Sequence, residues 1–304
     1  MAVSLIREQY AWPARTVCPV VMAATVPPQP IWNPDMTTLP AISFIGGGNM
    51  ATAMIDALLA LPTPPALAVS DPDPAKRAAF TAKGLTATAD NNQATAMGGL
   101  VCLAIKPQAA AQVVPEVGAA WAPDKVLISI LAGMPTARLE GWLPAGARVV
   151  RAMPNTPLAI GKGMVGLCRG KNATEADLDL AEAFFSSCGK VIRLSDESRM
   201  DAITAVSGSG PAYFFRFAEA LLDAAMSLGF SREEAVLLVG QTGDGSWDYL
   251  QRSGFQAKKL REQVTSPGGT TAAALNVMDE ADFSGILRRA LAAAEARGKE
   301  LGKA

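Results

Sequence analysis

A short apolar run, "AISFI" at residues 41–45, breaks into three consecutive glycines and then into a helix-like "NMATAMIDALLAL". Such a run, bounded by glycine and lacking polar alternation, reads as a strand buried on both faces. Strands of that kind belong to parallel sheets covered by their crossover helices. The glycines sharpen the constraint. Gly46, Gly48 and Ala51 spell G-x-G-x-x-A. The first position permits a tight turn, the second lets backbone approach a pyrophosphate, and the third lets helix and strand pack closely. Amides at the start of the helix then face the phosphates. The motif alone is a weak signal, and a tight turn with no ligand is its bland alternative. Its place between strand and helix makes it a dinucleotide cradle.

The alternation continues. "ALAVS", "LVCLAI", "KVLISIL", "RVVRAM", "GMVGLC" and "KVIRL" are apolar runs, with helix-like segments such as "PAKRAAFTAK" and "AAAQVVPEVG" between some of them. Thr174 and Asp177 form a capping pair for one such helix, and Gly189 is expected to close it. A parallel sheet covered on both faces follows. After about Ser195 the strands stop. "PAYFFRFAEALLDAAMSLG" has apolar residues three and four apart, Gly229 ends it, and "SREE" is a capping box for the next helix. Several of these helices are apolar on more than one face, which points to burial against a second subunit. The expected division is a loosely ordered, proline-punctuated extension over 1–40, a dinucleotide-binding domain over 41–194 and a helical domain over 195–304.

Composition narrows the function. With 27 basic and 28 acidic residues the charges nearly cancel, and no basic patch suggests nucleic acid. No apolar run is long enough to cross a membrane. Cys18, Cys102, Cys168 and Cys188 are far apart and form no CxxC, so reduced thiols and a cytoplasmic setting are expected. The chain has no histidine. That removes the Ser-His-Asp triad, histidine-based metal sites and a histidine proton donor; no metal is expected.

The second strand ends in "AVSDPDP", where an acid would hold the ribose hydroxyls of NAD. Asp71 stands there; Ser70, with Lys76 or Arg77, would instead suit a 2′-phosphate. NAD(H) and NADP(H) both stay open. "AIKPQ" ends the fourth strand, so Lys106 is expected at the cofactor crevice.

Together, "ISFIGGGNMATAMI", "VCLAIKPQ", "VVRAMPNTP", "AVSGSGPAYFF" and "VTSPGGTTAAAL" resemble the pyrroline-5-carboxylate reductase family, over roughly residues 41–300. The resemblance implies an α/β Rossmann-type N-terminal domain followed by an all-α C-terminal dimerisation domain. It implies reduction of L-1-pyrroline-5-carboxylate to L-proline by NADPH or NADH, the last step of proline biosynthesis, in homodimers that often assemble into decamers. Carried over residue by residue, cofactor contacts fall on Ile45, Gly46, Gly47, Gly48, Asn49, Met50, Ser70, Asn91, Ala104, Ile105, Lys106 and Pro107. Asn155 and Thr156 of "MPNTP" fall near the nicotinamide. The substrate loop falls on Ser266, Pro267, Gly268, Gly269, Thr270 and Thr271. Many members have Asn-Arg where this chain has Asp71-Pro72, and "HPGxL" where it has "FQAKKL".

A second glycine loop beside the first suits a hydride transfer with two anionic partners: a cofactor pyrophosphate and a substrate carboxylate. Thr271 is the expected catalytic hydroxyl, donating toward the imine nitrogen. Two rivals stand beside this reading. A 3-hydroxyacid dehydrogenase would carry a catalytic lysine four residues past the GxG of "GSGPAYFFR", where Phe214 stands. An NAD(P)-binding redox regulator without turnover would not keep "SPGGTT" intact.

Overall fold

The computed structural model describes residues 39–303. Most of the expected extension, and Cys18 within it, lies outside the described residues. From Ile42 onward the elements are β1 (Ile42–Ile45), α1 (Asn49–Leu59), β2 (Leu67–Ser70), α2 (Pro74–Ala82), β3 (Thr86–Thr88), α3 (Asn91–Met97) and β4 (Leu100–Leu103). Then come α4 (Ala110–Ala119), β5 (Val126–Ser129), α5 (Thr136–Trp142), β6 (Arg148–Met153), β7 (Gly163–Arg169), α6 (Glu175–Ser186) and β8 (Gly189–Arg193).

The strands form one sheet in the order β3-β2-β1-β4-β5-β6-β7-β8. The order reverses between β1 and β4, the place where open α/β sheets bind ligands beyond their strand ends. Register fixes what gathers there. Ile45 pairs with Ser70 on one side and Leu103 on the other, so β1, β2 and β4 end level. The period of two then sorts the core. Ile42, Phe44, Leu100 and Cys102 share a cluster with Met54, Ile55 and Leu58 of α1 and Phe184 and Phe185 of α6. Ile45, Val101 and Leu103 share the other with Ala94, Val114, Val117 and Leu139 of α3, α4 and α5. Each such fully buried Leu, Ile or Phe contributes about 1.5–3 kcal/mol of transfer free energy.

Two expectations need correction. The sheet is not wholly parallel, because β7 runs antiparallel to β6. Their connection is a short turn containing a 3-10 segment at Thr156–Ile160, and a parallel return needs a crossover of a dozen residues or more. Gly189 does not close α6 either. That helix is capped at Ser187, and Gly189 opens β8, where an added Cβ would collide with the Gly163 carbonyl. The reciprocal Thr174–Asp177 capping box is present as expected.

After Arg193 no further strand occurs among the described residues. α7 (Met200–Ile203) runs into a π-helical turn, Thr204–Gly208, and then come α8 (Gly210–Ser227), α9 (Arg232–Arg252), α10 (Ala257–Gln263), α11 (Thr270–Glu280) and α12 (Phe283–Lys303). Gly229 has φ +98° after α8, and Ser231 and Glu234 cap α9 reciprocally. α8 packs on α9, α11 on α12, and α12 on α7 and the π-turn. Much of this region's apolar surface stays uncovered: Leu228 is 81% exposed, Leu237 70% and Phe215 67%. Contiguous apolar surface of this kind marks an interface. No helix among the described residues is long and apolar enough to cross a membrane.

Candidate active site

The first glycine loop leaves β1 at Ile45 and enters α1 at Asn49. Gly46 has φ +97°, and an added Cβ would lie 2.6 Å from the Ala104 carbonyl oxygen. Only glycine combines that conformation with that approach. Gly48 is the N-cap of α1, makes no side-chain cap and has open space where a Cβ would be. The first amides of α1 therefore lack a protein acceptor and face open ground at the positive end of the helix. That arrangement fits the pyrophosphate of a dinucleotide. Ala51, in the first turn of α1, is fully buried.

Asp71 follows directly on β2 and is nearly buried. Its Oδ2 accepts from the Gly47 amide at 2.8 Å and from Lys76 Nζ at 3.3 Å, and its Oδ1 accepts from the Asp73 amide at 2.9 Å. Burial pushes the carboxyl up, but the amides of Asp73 and Gly47 together with Lys76 outweigh it, leaving the pKa below the usual value. Arg77 turns inward, donating from Nη1 to the carbonyls of Asp71 and Pro72. Ser70, buried, donates to Asn91 Oδ1 at 2.7 Å, and Asn91 Nδ2 donates to Glu116 Oε2 at 2.7 Å.

Ala104 and Ile105 close on Gly46 at the end of β4, while Lys106 is exposed and Pro107 starts a short 3-10 turn. Asn155 is buried. Its Oδ1 accepts from the Met164 amide at 2.9 Å, and its Nδ2 donates to the Ser207 carbonyl at 3.2 Å. It therefore ties the β6–β7 connection to the π-turn. Thr156 is exposed at the head of the 3-10 segment that packs on α1. The structure thus gathers Ile45–Met50, Ser70, Asp71, Asn91, Ala104 and Ile105 around the ends of β1, β2 and β4, while the Asn155–Thr156 turn follows β6 and packs on α1.

The second loop is built like the first. Gly268 has φ +70°, Gly269 is the N-cap of α11, and no side chain caps that helix. The Gly269 amide donates to the Ser266 carbonyl at 3.0 Å. Thr270 is exposed and Thr271 half-buried, and neither hydroxyl has a partner among the described residues. The N-cap of α11 is Gly269, so the Thr270 hydroxyl does not cap the helix. Within one chain α11 packs on α12, and among the described residues Ser266–Thr271 make only local hydrogen bonds. Phe214, at the position where a hydroxyacid dehydrogenase would need its lysine, packs edge-on to Trp247 with ring centroids 5.5 Å apart.

Sequence reasoning missed Phe80, whose ring an added Cβ on Gly47 would meet at 2.5 Å, and Glu116, which holds Asn91. Neither lies in a motif, and no local signal marks them.

A dinucleotide cradle at the switch point of an α/β sheet, followed by helices with uncovered apolar faces, defines an oligomeric nicotinamide-dependent oxidoreductase. Residues 41–133 match the family model "NADP oxidoreductase coenzyme F420-dependent", and residues 197–301 match "Pyrroline-5-carboxylate reductase dimerisation". The chain is similar to the pyrroline-5-carboxylate reductase of Pseudomonas aeruginosa, 40% identical over 86% of this chain and 97% of the other. It is also similar to the solved structure of the Coxiella burnetii pyrroline-5-carboxylate reductase, with TM-score 0.78, 37% identity, and 86% and 98% of the two chains covered. The Plasmodium falciparum pyrroline carboxylate reductase, solved with NADP bound, gives TM-score 0.77, 30% identity and the same two coverages. The chain belongs to the pyrroline-5-carboxylate reductase family.

Proposed function

We infer that this chain reduces L-1-pyrroline-5-carboxylate to L-proline with NADH or NADPH, acting as a homodimer or a larger ring of dimers in the cytoplasm. One observation carries the reading: two uncapped helix N-termini, α1 and α11, each stand behind a glycine loop. The first suits the cofactor pyrophosphate, and the second suits the substrate carboxylate. When bound, reduced nicotinamide supplies the hydride.

The chain's own task is positioning. Gly268 and Gly269 leave the first amides of α11 open to the carboxylate. Ser266 and Pro267 set the turn, and Thr270 lines it. A ring held there brings its C=N group within reach of Thr271, whose free hydroxyl donates toward the nitrogen. A threonine hydroxyl is too weak an acid to protonate it alone, so Thr271 orients and stabilises. A cyclic imine protonates near neutral pH, so positioning is the larger requirement. This agrees with a chain that has no histidine.

The cofactor residues are those named from the sequence, on a domain over 41–194; the substrate loop belongs to a helical domain over 195–304. The second loop makes only local hydrogen bonds among the described residues, and the tail exposes broad apolar faces. Both support a site whose two loops come from different subunits. A cytoplasmic setting agrees with Cys102, Cys168 and Cys188, which are buried and unbridged. Burial lifts the Cys168 and Cys188 thiols to about 11, which keeps them protonated.

Steady-state oxidation of NADH and NADPH with L-1-pyrroline-5-carboxylate tests the reading. Turnover of the imine supports it. Turnover confined to 3-hydroxyacids, or cofactor binding with no turnover, overturns it.

A further inference from the structure

We propose that Glu116 is a cofactor-specificity residue that works through Asn91. The proposal rests on the cofactor reading of the β2 end given above. The geometry leaves one arrangement of protons. The Glu116 carboxylate has none to give, so the group 2.7 Å from its Oε2 is the Asn91 amide nitrogen. The Asn91 carbonyl must then face Ser70. A carbonyl oxygen only accepts, so Ser70 donates its single proton there, at 2.7 Å. Glu116, on α4, thus dictates through one amide what Ser70 presents at the end of β2.

What remains on Ser70 is lone pairs. A ribose 2′-hydroxyl can donate to them, whereas a 2′-phosphate needs donors. The neighbouring cations are engaged as well. Lys76 pairs with Asp71, and Arg77 Nη1 bonds the carbonyls of Asp71 and Pro72. The strand end therefore presents acceptors where a 2′-phosphate would want protons. Without the Glu116 carboxylate, the Asn91 amide is free to turn its nitrogen toward Ser70. The Ser70 proton is then released toward the crevice, and NADPH gains.

The test is the ratio of kcat/KM for NADPH to that for NADH, with L-1-pyrroline-5-carboxylate saturating. Glu116→Ala is expected to raise the ratio roughly 5- to 20-fold, the scale of one redirected hydrogen bond. Glu116→Gln keeps a carbonyl acceptor for the Asn91 nitrogen, so its ratio stays within about twofold of the native one. In an Asn91→Ala background, Glu116→Ala adds nothing further. Equal rises in the Ala and Gln variants would mean that charge acts directly, and would overturn the proposal. So would an unchanged ratio in Glu116→Ala, or a rise that persists without Asn91. Gly48→Val tests the underlying reading separately. It should raise KM for both cofactors, and unchanged values would remove the cofactor site itself.

Discussion

Thr271 is where the proposed chemistry concentrates, because it is half-buried at the first turn of α11 and its hydroxyl has no partner among the described residues. Thr271→Ala should lower kcat/KM for the imine about 5- to 150-fold, from a lost hydrogen bond of about 1–3 kcal/mol. The KM for the cofactor should not move. Full activity would leave the loop as an anion cradle only. Thr270→Ala should be milder, since α11 has no side-chain cap to lose. Asp71 supports a prediction of a different kind. Despite burial, its bonds from Asp73, Gly47 and Lys76 hold its pKa below the usual value. A carboxyl depressed in the fold contributes stability that is complete above its unfolded pKa of about 3.9 and fades as pH falls through the lower folded value. Urea midpoints of the native chain should therefore drop more steeply below about pH 4 than those of Asp71→Asn. Parallel slopes would show that the carboxylate is not linked to folding. The same variant should shift preference toward NADPH, as less charge faces a 2′-phosphate. A strong NADPH preference that the substitution leaves unchanged would remove Asp71 from cofactor choice.

The joint between sheet and tail depends on a cluster of polar groups. Arg151 on β6, its side chain 5% exposed, pairs with Glu197 at 3.1 Å and Asp201 at 3.3 Å. Glu197 also accepts from the Thr136 amide at 2.9 Å and from its hydroxyl at 2.6 Å, at the start of α5. Glu197→Ala would deprive a buried guanidinium of one partner and leave that amide bare. The expected loss is about 2–4 kcal/mol, seen as a lower urea midpoint at unchanged slope. A loss under about 1 kcal/mol would mean Asp201 and water suffice. None of this cluster was legible in the sequence, because its members meet only after the sheet has formed. What was legible is local. Apolar runs marked most strands, Thr174 with Asp177 and Ser231 with Glu234 marked two helix starts, and G-x-G-x-x-A marked the cradle. The short β3, with its sequence "TAT", has no apolar run to announce it. The direction of β7 depends on connection length rather than on its own residues. At the site, Gly46, Gly48 and Asp71 could be read from spacing. The substrate loop was readable only through resemblance, and Glu116 not at all, because Asn91 lies on another helix.

At the scale of the molecule, the uncovered faces of α8, α9 and α12 predict that no active monomer exists. Light scattering at micromolar concentration should show a dimer or a multiple such as a decamer, and an active monomer would contradict the reading. The sharper question is where one site ends and the next begins. If each site joins the first loop of one chain to the second loop of its partner, two differently disabled chains can rescue each other. Gly48→Val blocks the first loop and Thr271→Ala weakens the second. In a heterodimer of the two, one of the two sites combines an intact first loop with an intact second loop, and the other carries both lesions. Random reassortment makes about half the dimers mixed, so activity should recover to about a quarter of the native value. If both loops of a site belonged to one chain, every site would carry a lesion, and mixing would give only the average of the two variants. Reassorting the two purified variants and measuring imine reduction before and after separates these outcomes, and no gain above the average would place the whole site within a single chain.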